Sequence, residues 1–276
     1  MNSPVIHNEL LRSLSLQDYA AICPFLERVS LKANRVLHHA RTPMDYVYFP
    51  EDGLVSVLAE VGDGNLIEVW LVGREGMVGT PAILGVTVSR HRRIVHLGGP
   101  ALRLRVEDLV NAMNDRPSLR ARFLQYAHYV LLQTSQIGAC NAKHPVEQRL
   151  ARWILMAADR SAADRLPLTQ QTLARMIGVR RATVTRCIAA FDRGGLITTA
   201  RGSLQVVSRP SLESVACPCY GIMRNQYFQL MGGSRHGGVP YDTGVIRAHE
   251  HLVTRAAPGT KQADRESTRS RQPFSD

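Results

Sequence analysis

Residues 169–194 constrain the fold more than any other stretch of this chain. Thr169 can cap a short helix, and Gly178 stands where the chain must turn with a positive φ, which costs glycine little. Ala174, four positions earlier, is small enough to let a second helix cross closely, and that helix ends at Gly194. The spacing predicts a helix-turn-helix whose inner faces carry Leu173, Ile177, Val179, Val184, Cys187 and Ile188.

The start of the second helix is predicted to present a polar, mostly basic face. Arginine there can pair with guanine edges in a major groove, and threonine can bond a base or a phosphate. Two short β segments, Leu196–Thr199 and Leu204–Val207, follow and predict a hairpin with one arginine at its tip. An ordinary helical pair with a β-hairpin is the alternative. The residues expected to face nucleic acid are Thr169, Gln170, Arg180, Arg181, Thr185, Arg186 and Arg201.

Positive charge is concentrated in the same part of the chain. The formal net charge of the whole sequence is +11, and residues 149–209 hold 11 arginines against three acids, a net of +8. Such a block attracts a polyanion through long-range attraction and counterion release. A solvated basic surface is the alternative, and the helix-turn-helix pattern favours the polyanion.

The N-terminal half has a different pattern of predicted secondary structure. Residues 9–28 have helical spacing, with Ser15 or Asp18 as a possible cap. From Arg35 to Leu104, short β segments alternate with turns rich in Gly and Asp. Many short strands at regular spacing predict a compact antiparallel barrel or roll, so the fold class is α+β.

A long helix is predicted between the two halves. Helix resumes at 106–113, pauses at 114–117 and restarts with Ser118 as a plausible cap, until His144-Pro145 breaks it before another helix at 146–159. Apolar residues in the long helix alternate at spacings of four and three, which is typical of a coiled-coil seam. A buried core helix has similar periodicity. The predicted dimer seam is Leu119, Phe123, Tyr126, Val130, Gln133 and Ile137.

These patterns divide the chain into four predicted parts. They are an N-terminal sensory roll with flanking helices (1–117), a dimerisation helix (118–144), a DNA-binding domain (145–220) and a C-terminal extension (221–276). The extension is expected to be largely disordered from about residue 232, because it has too few large apolar groups to offset chain entropy.

Several protein classes are not expected. We find no run of eighteen apolar residues and no signal-peptide pattern, so a cytoplasmic location without membrane contact is expected. Phosphate-loop, metal-helix and nucleophile-elbow motifs are missing, so an enzyme is not expected. Cys217-Pro218-Cys219 resembles half of a metal site, and for want of a second half we expect no metal.

Residues 10–220 resemble the Crp/Fnr family of bacterial transcription regulators. The resemblance is carried by Tyr46–Gly53, Gly73–Gly79, the long helix and Leu168–Val207. It implies a β-roll of the cyclic-nucleotide-binding type, a dimerisation helix and a winged helix-turn-helix, in a homodimer that binds palindromic double-stranded DNA and works with RNA polymerase. The recognition residues that it implies are Arg181 and Arg186, together with Arg180 and Thr185.

The sequence departs from the family pattern in two places. Ala182 stands where the family often has a glutamate that can accept from cytosine, so the usual operator preference should not transfer. Val78-Gly79-Thr80-Pro81 lacks the ribose-binding glutamate of nucleotide-binding relatives, so we expect an effector other than cyclic AMP, or none. No cofactor is expected to be required, and Cys23 alone in the first 139 residues disfavours an iron–sulfur centre. The candidate effector residues are Gly79, Thr80, Arg90 and Arg92.

A second functional hypothesis stays open at this stage. The chain could be a ligand-sensing module that regulates a protein partner without binding DNA. Its basic C-terminal block would then be a protein-docking surface.

Overall fold

The fold is α+β: an N-terminal antiparallel roll is followed by a long helix and a C-terminal winged helix-turn-helix. This arrangement confirms the predicted fold class. The computed structural model describes residues 6–62 and 64–231, and these belong to one compact unit. The strands are β1 (Glu27–Leu31), β2 (Val36–His38), β3 (Tyr46–Pro50), β4 (Leu54–Glu60), β5 (Leu66–Val72), β6 (Arg92–Leu97), β7 (Gly99–Arg105), β8 (Ile197–Ala200) and β9 (Ser203–Val206). The helices are α1 (Glu9–Arg12), α2 (Leu16–Ile22), α3 (Val106–Asp115), α4 (Pro117–Lys143), α5 (Val146–Arg160), α6 (Gln170–Ile177), α7 (Arg181–Arg193), α8 (Arg209–Val215) and α9 (Cys219–Met231).

The roll consists of two antiparallel sheets, with strand orders β1-β7-β3 and β2-β6-β4-β5. The single helix expected over residues 9–28 is wrong, because the segment forms α1, α2, a 3₁₀ turn and the start of β1. Asn8 caps α1, and Ser15 caps α2 by accepting from the amide of Asp18. Ser15 has an extended backbone, so the helical path is interrupted there although the apolar spacing continues.

Helix α4 closes one side of the roll with aromatic side chains. The Tyr126 ring is 6.0 Å from the Trp70 ring, and its hydroxyl accepts from the backbone amide of Met77 at 2.8 Å. A Cβ on Gly76 would lie 2.0 Å from that hydroxyl, so only glycine lets the loop approach α4 this closely. The ring of Tyr126 therefore fills the space between α4 and the loop after β5.

Helix α4 begins earlier than predicted, and Ser118 is not its N-cap. Pro117 is the first helical residue and Arg116 the N-cap, whereas the hydroxyl of Ser118 donates to Asp18 of α2 at 2.7 Å. Proline at the first position has no amide to leave unpaired, so the helix begins without a side-chain cap.

The predicted dimer seam of α4 is also wrong. Four of its residues are fully buried within the chain itself, and the other two are half-buried against the same core clusters. Spacing of three and four shows that one helix face is covered, but it does not show whether the cover is a second copy or the rest of the chain. The fully buried four are Leu119, Phe123, Tyr126 and Gln133; the half-buried two are Val130 and Ile137.

Helix α9, which the sequence patterns did not predict, lies antiparallel along α4. Gln133 of α4 donates to the carbonyl of Met223 at 3.1 Å, and Arg122 donates to that of Met231 at 2.6 Å. Near the end of α9, the hydroxyl of Tyr227 donates to Glu9 at 2.6 Å. The first residues of the C-terminal extension are therefore part of the folded unit. The expected disorder from residue 232 lies outside the described residues.

Buried polar contacts join the roll to the helices that follow α4. The guanidinium of Arg160, the last residue of α5, donates to Glu75 at 2.7 Å, and both side chains are buried. The indole of Trp153 donates to Glu68 of β5 at 2.5 Å. These contacts fix α5 against the roll.

Candidate nucleic-acid interface

The helix-turn-helix has the geometry that its sequence predicts. Thr169 accepts from the amide of Thr172 at 3.0 Å and so caps α6. Gly178 ends α6 in the left-handed region, with φ 67° and ψ 43°. The apolar residues expected on the inner faces are buried or half-buried between α6 and α7, and Ala174 is 3% exposed. A tight turn thus sets α7 against α6, as the fold requires.

A cleft lies between the helix-turn-helix and the β8–β9 hairpin, which we call the wing. Its volume is about 590 Å³, and it is lined from the two sides by Arg181 of α7 and Arg201 of the wing tip. Thr169 and Gln170 of the α6 N-terminus line it as well. Four of the predicted contact residues therefore share one concave, basic surface.

The two helices are also joined across this surface. The hydroxyl of Thr185 lies 2.7 Å from the side-chain oxygen of Gln170, to which it donates. Both residues were predicted to face nucleic acid, and the contact fixes the position of one relative to the other. The side-chain nitrogen of Gln170 keeps its two donor hydrogens for a further partner.

Charge at this surface is smaller than the sequence count suggests. Arg160 is buried against Glu75, Arg209 pairs with Asp159, and Arg152 is 3% exposed. Ion pairs thus compensate the charges of Arg160 and Arg209, and burial keeps Arg152 from the surface. The exposed arginines of the block are Arg165, Arg175, Arg180, Arg181, Arg186, Arg193 and Arg201.

The N-terminus of α7 is open to an anion. Arg180 is the N-cap, and no side chain caps the first amides of the helix. Arg180 and Arg181 add positive charge where the helix dipole is already positive, an arrangement that costs roughly 0.3–1 kcal/mol per charge without a partner. A bound phosphate would reverse that cost, because free amides and arginines would both donate to it.

Two of the four candidate effector residues line a cavity on the roll. Arg90 and Arg92 line a cavity of about 320 Å³ on the roll together with His39 and Glu60, whose carboxylate disfavours an anion. Gly79 and Thr80 do not line it.

Gly79 instead begins the 3₁₀ turn Thr80–Leu84 with φ 116°, and a Cβ there would lie 2.8 Å from Val47. Close packing against β3 explains this glycine without a ligand. Of the four candidate effector residues, Arg90 and Arg92 are thus the two that line a cavity, and their role in effector binding stays a prediction.

Sequence reasoning missed a cluster at the end of α4. The ligand-type atoms of Cys140, His144, Cys217 and Cys219 all lie within 4.8 Å of one another. The spacing of Cys140 and His144, four residues apart on a predicted helix, places both on one face and could have supplied the missing half-site. What no pattern revealed is that this face meets Cys217-Pro218-Cys219.

Comparisons with known proteins agree with this geometry. Residues 148–215 match the model of the Crp-like helix-turn-helix domain. The transcriptional regulator SdrP of Thermus thermophilus is 26% identical over 198 residues, which cover 69% of this chain and 94% of SdrP. A solved transcriptional regulator of the CRP/FNR family, also from Thermus thermophilus, has a TM-score of 0.57 at 25% identity, over 69% of this chain and 98% of that one.

The chain is therefore similar to regulators of the Crp/Fnr family. The transcriptional regulatory protein btr of Bordetella pertussis, 22% identical over 68% of this chain and 81% of btr, agrees with that assignment. FixK2 from Bradyrhizobium japonicum, with a TM-score of 0.60 at 14% identity over 70% of this chain and 98% of its own, supports the fold.

The protein is a DNA-binding transcription regulator, and the alternative of a sensor without DNA binding is not supported. Among the described residues, no helix is long and apolar enough to cross a membrane.

Proposed function

We propose that this regulator binds a palindromic operator as a homodimer, with α7 in the major groove and the wing on the adjacent backbone. The observation that carries the proposal is the shared basic cleft of α6, α7 and the wing. Arg181 stands in the first turn of α7, the part of a recognition helix that reaches base edges. Arg201 stands at the wing tip, where a phosphate is the partner within reach.

Other parts of the proposal follow from this role. The protein is a binding protein and not an enzyme, and RNA polymerase is its proposed partner at promoters. Ala182 offers no acceptor to a cytosine amino group, so the operator should differ from one read by an Arg–Glu pair.

The proposal predicts different effects for two exposed arginines. Arg181→Ala should relax specificity at one base pair in each half-site and weaken binding to the cognate operator by roughly 1–3 kcal/mol. Arg201→Ala should weaken binding to all sequences about equally and reduce the salt slope by about one. Fluorescence polarisation on operator and scrambled fragments, repeated in rising salt, separates these outcomes.

Arg165→Ala is the matched control, because Arg165 is exposed in the same block but does not line the cleft. Equal loss for Arg181→Ala and Arg201→Ala on every sequence would show that α7 makes only backbone contacts. Binding that hardly changes with salt would contradict the phosphate contacts themselves.

We place the dimer seam on the face of α4 that the chain leaves exposed. Leu131 is 59% and Leu124 40% exposed, although both are large and apolar. They belong to an exposed stripe with spacings of four and three, which suits a two-stranded coiled coil better than solvent. The stripe is Leu124, His128, Leu131, Ser135, Gly138 and Ala142.

This placement predicts that Leu131→Glu yields monomers. Two carboxylates would face each other near the two-fold axis, and both charges would lose water on pairing. Size-exclusion chromatography with light scattering measures the mass directly. Gln125→Glu adds the same charge to an exposed site beside the stripe and should stay dimeric. A dimeric Leu131→Glu would place the seam elsewhere.

A further inference from the structure

The end of α4 and the start of α9 meet at a cluster of three thiols and one imidazole. Cys140 lies in the last turn of α4 and His144 is the C-cap of that helix. Cys217 lies between α8 and α9, and Cys219 is the first residue of α9. The three cysteines are buried, and His144 is half-buried. Two segments 73 residues apart in sequence, from His144 to Cys217, thus contribute two potential ligands each.

The separations within the cluster fit a single ion. The sulfurs of Cys140 and Cys217 are 3.4 Å apart, and the sulfur of Cys219 is 3.6 Å from Nδ1 of His144. Zinc–sulfur bonds of about 2.3 Å at tetrahedral angles place ligand sulfurs roughly 3.8 Å apart, and sulfur and nitrogen slightly closer. An iron–sulfur cluster distributes its ligands over several irons and needs wider spacing than the 4.8 Å found here.

The groups around the cluster suit the charge of a zinc site. Three thiolates, one neutral imidazole and Zn²⁺ carry a net charge of −1. Arg152 is buried nearby, with one nitrogen against the sulfur of Met156 at 3.3 Å and Nε without a hydrogen-bond partner among the described residues. Gln136 donates to the sulfur of Cys219 at 3.1 Å, as groups around metal-bound thiolates do.

We propose that Cys140, His144, Cys217 and Cys219 bind one Zn²⁺ ion in a tetrahedral Cys₃His site. With all four positions taken by the protein, the site is structural, because no position is open to water or substrate. It clamps the last turn of α4 to the first turn of α9. This clamp lies where the long helix ends and the DNA-binding domain begins, and it does not depend on the operator proposal.

The test is zinc binding by the full-length, reduced protein in competition with a chromophoric chelator. We expect one zinc per chain, and loss of that zinc in Cys140→Ser, Cys217→Ser and Cys219→Ser. Gln136→Ala should keep the stoichiometry but bind about 10–100-fold more weakly, since it removes only a donor to a ligand. Cys187→Ser and Cys23→Ser are matched controls that should bind zinc as the unaltered chain does.

Cobalt gives a readout that does not depend on any variant folding. Co²⁺ added to the unaltered protein should give thiolate-to-cobalt charge-transfer bands and the intense visible bands of a tetrahedral site, and Zn²⁺ should abolish them. A reduced, folded protein that leaves zinc with the chelator would overturn the proposal. Stoichiometric iron and sulfide in place of zinc would overturn it too, as would equal loss of zinc in the Cys187→Ser control.

Discussion

Replacing Glu75 with alanine is expected to lower the free energy of unfolding by about 3–5 kcal/mol, because it leaves the buried guanidinium of Arg160 without its counter-charge. Nε of Arg160 lies 2.7 Å from the Glu75 carboxylate, and each side chain is 8% exposed. The remaining contacts of Arg160, to the carbonyl of Met156 and the hydroxyl of Tyr129, are to neutral groups. They cannot balance a full charge in the interior. Urea unfolding at neutral pH measures the difference.

The control for Glu75→Ala is a surface ion pair of similar geometry. Glu27 and Arg103 lie 2.6 Å apart, but Glu27 is 51% exposed. Water solvates both groups after Glu27→Ala, so the loss should be about 0–1 kcal/mol. The double variant Glu75→Leu/Arg160→Met removes both charges and should recover most of the lost stability. If Glu75→Ala lowers the free energy of unfolding no more than Glu27→Ala does, water reaches Arg160 and the Arg160–Glu75 ion pair is not shielded from solvent.

The parts of the fold that the sequence predicted well are those with local causes. Thr169 caps α6, Gly178 turns the chain, and the wing closes through a turn at Arg201, all within 40 residues. Neighbouring residues decide such features, so a pattern identifies them. The prediction of the dimer seam was wrong because the contacts that decide it come from segments distant in sequence. Its apolar spacing is real, but α9 and the roll cover Gln133 and Phe123, and neither contact is encoded near α4.

The candidate sites also differ in whether local or long-range contacts determine them. The positions of the predicted DNA-contact residues followed from helix geometry, whereas the charge count did not distinguish Arg152 and Arg160 from them. Only the packing shows that these two lie in the interior. The zinc site needed two segments to meet, and Glu68 had no pattern that marked it as buried. Long-range pairing of this kind is set by the whole core, so single-sequence periodicity does not contain it.

Glu68 makes stability depend on pH near neutrality. Burial raises the pKa of its carboxyl to about 7, although hydrogen bonds from Ser56 and Trp153 favour the charged form. In the unfolded chain the group titrates near its ordinary value of 4.5. An acid whose pKa is higher in the folded state stabilises the fold fully below pH 4.5 and loses that contribution as the pH rises to 7. Each tenfold change in acidity is worth 1.36 kcal/mol, so the loss is about 3 kcal/mol.

Glu68→Gln should remove this contribution and flatten the profile between pH 5 and pH 8. Its amide can still accept from Trp153 and can donate to Ser56, so the junction between β5 and α5 keeps its hydrogen bonds. Urea midpoints at both pH values measure the difference, and the fluorescence of Trp153, whose indole touches the carboxyl, should titrate near pH 7 only with glutamate present. A Glu68→Gln profile as steep as that of the unaltered protein would assign the titration to another group. Because Glu68 joins β5 of the roll to Trp153 of α5, the cost of its ionisation falls on the junction between the roll and α5.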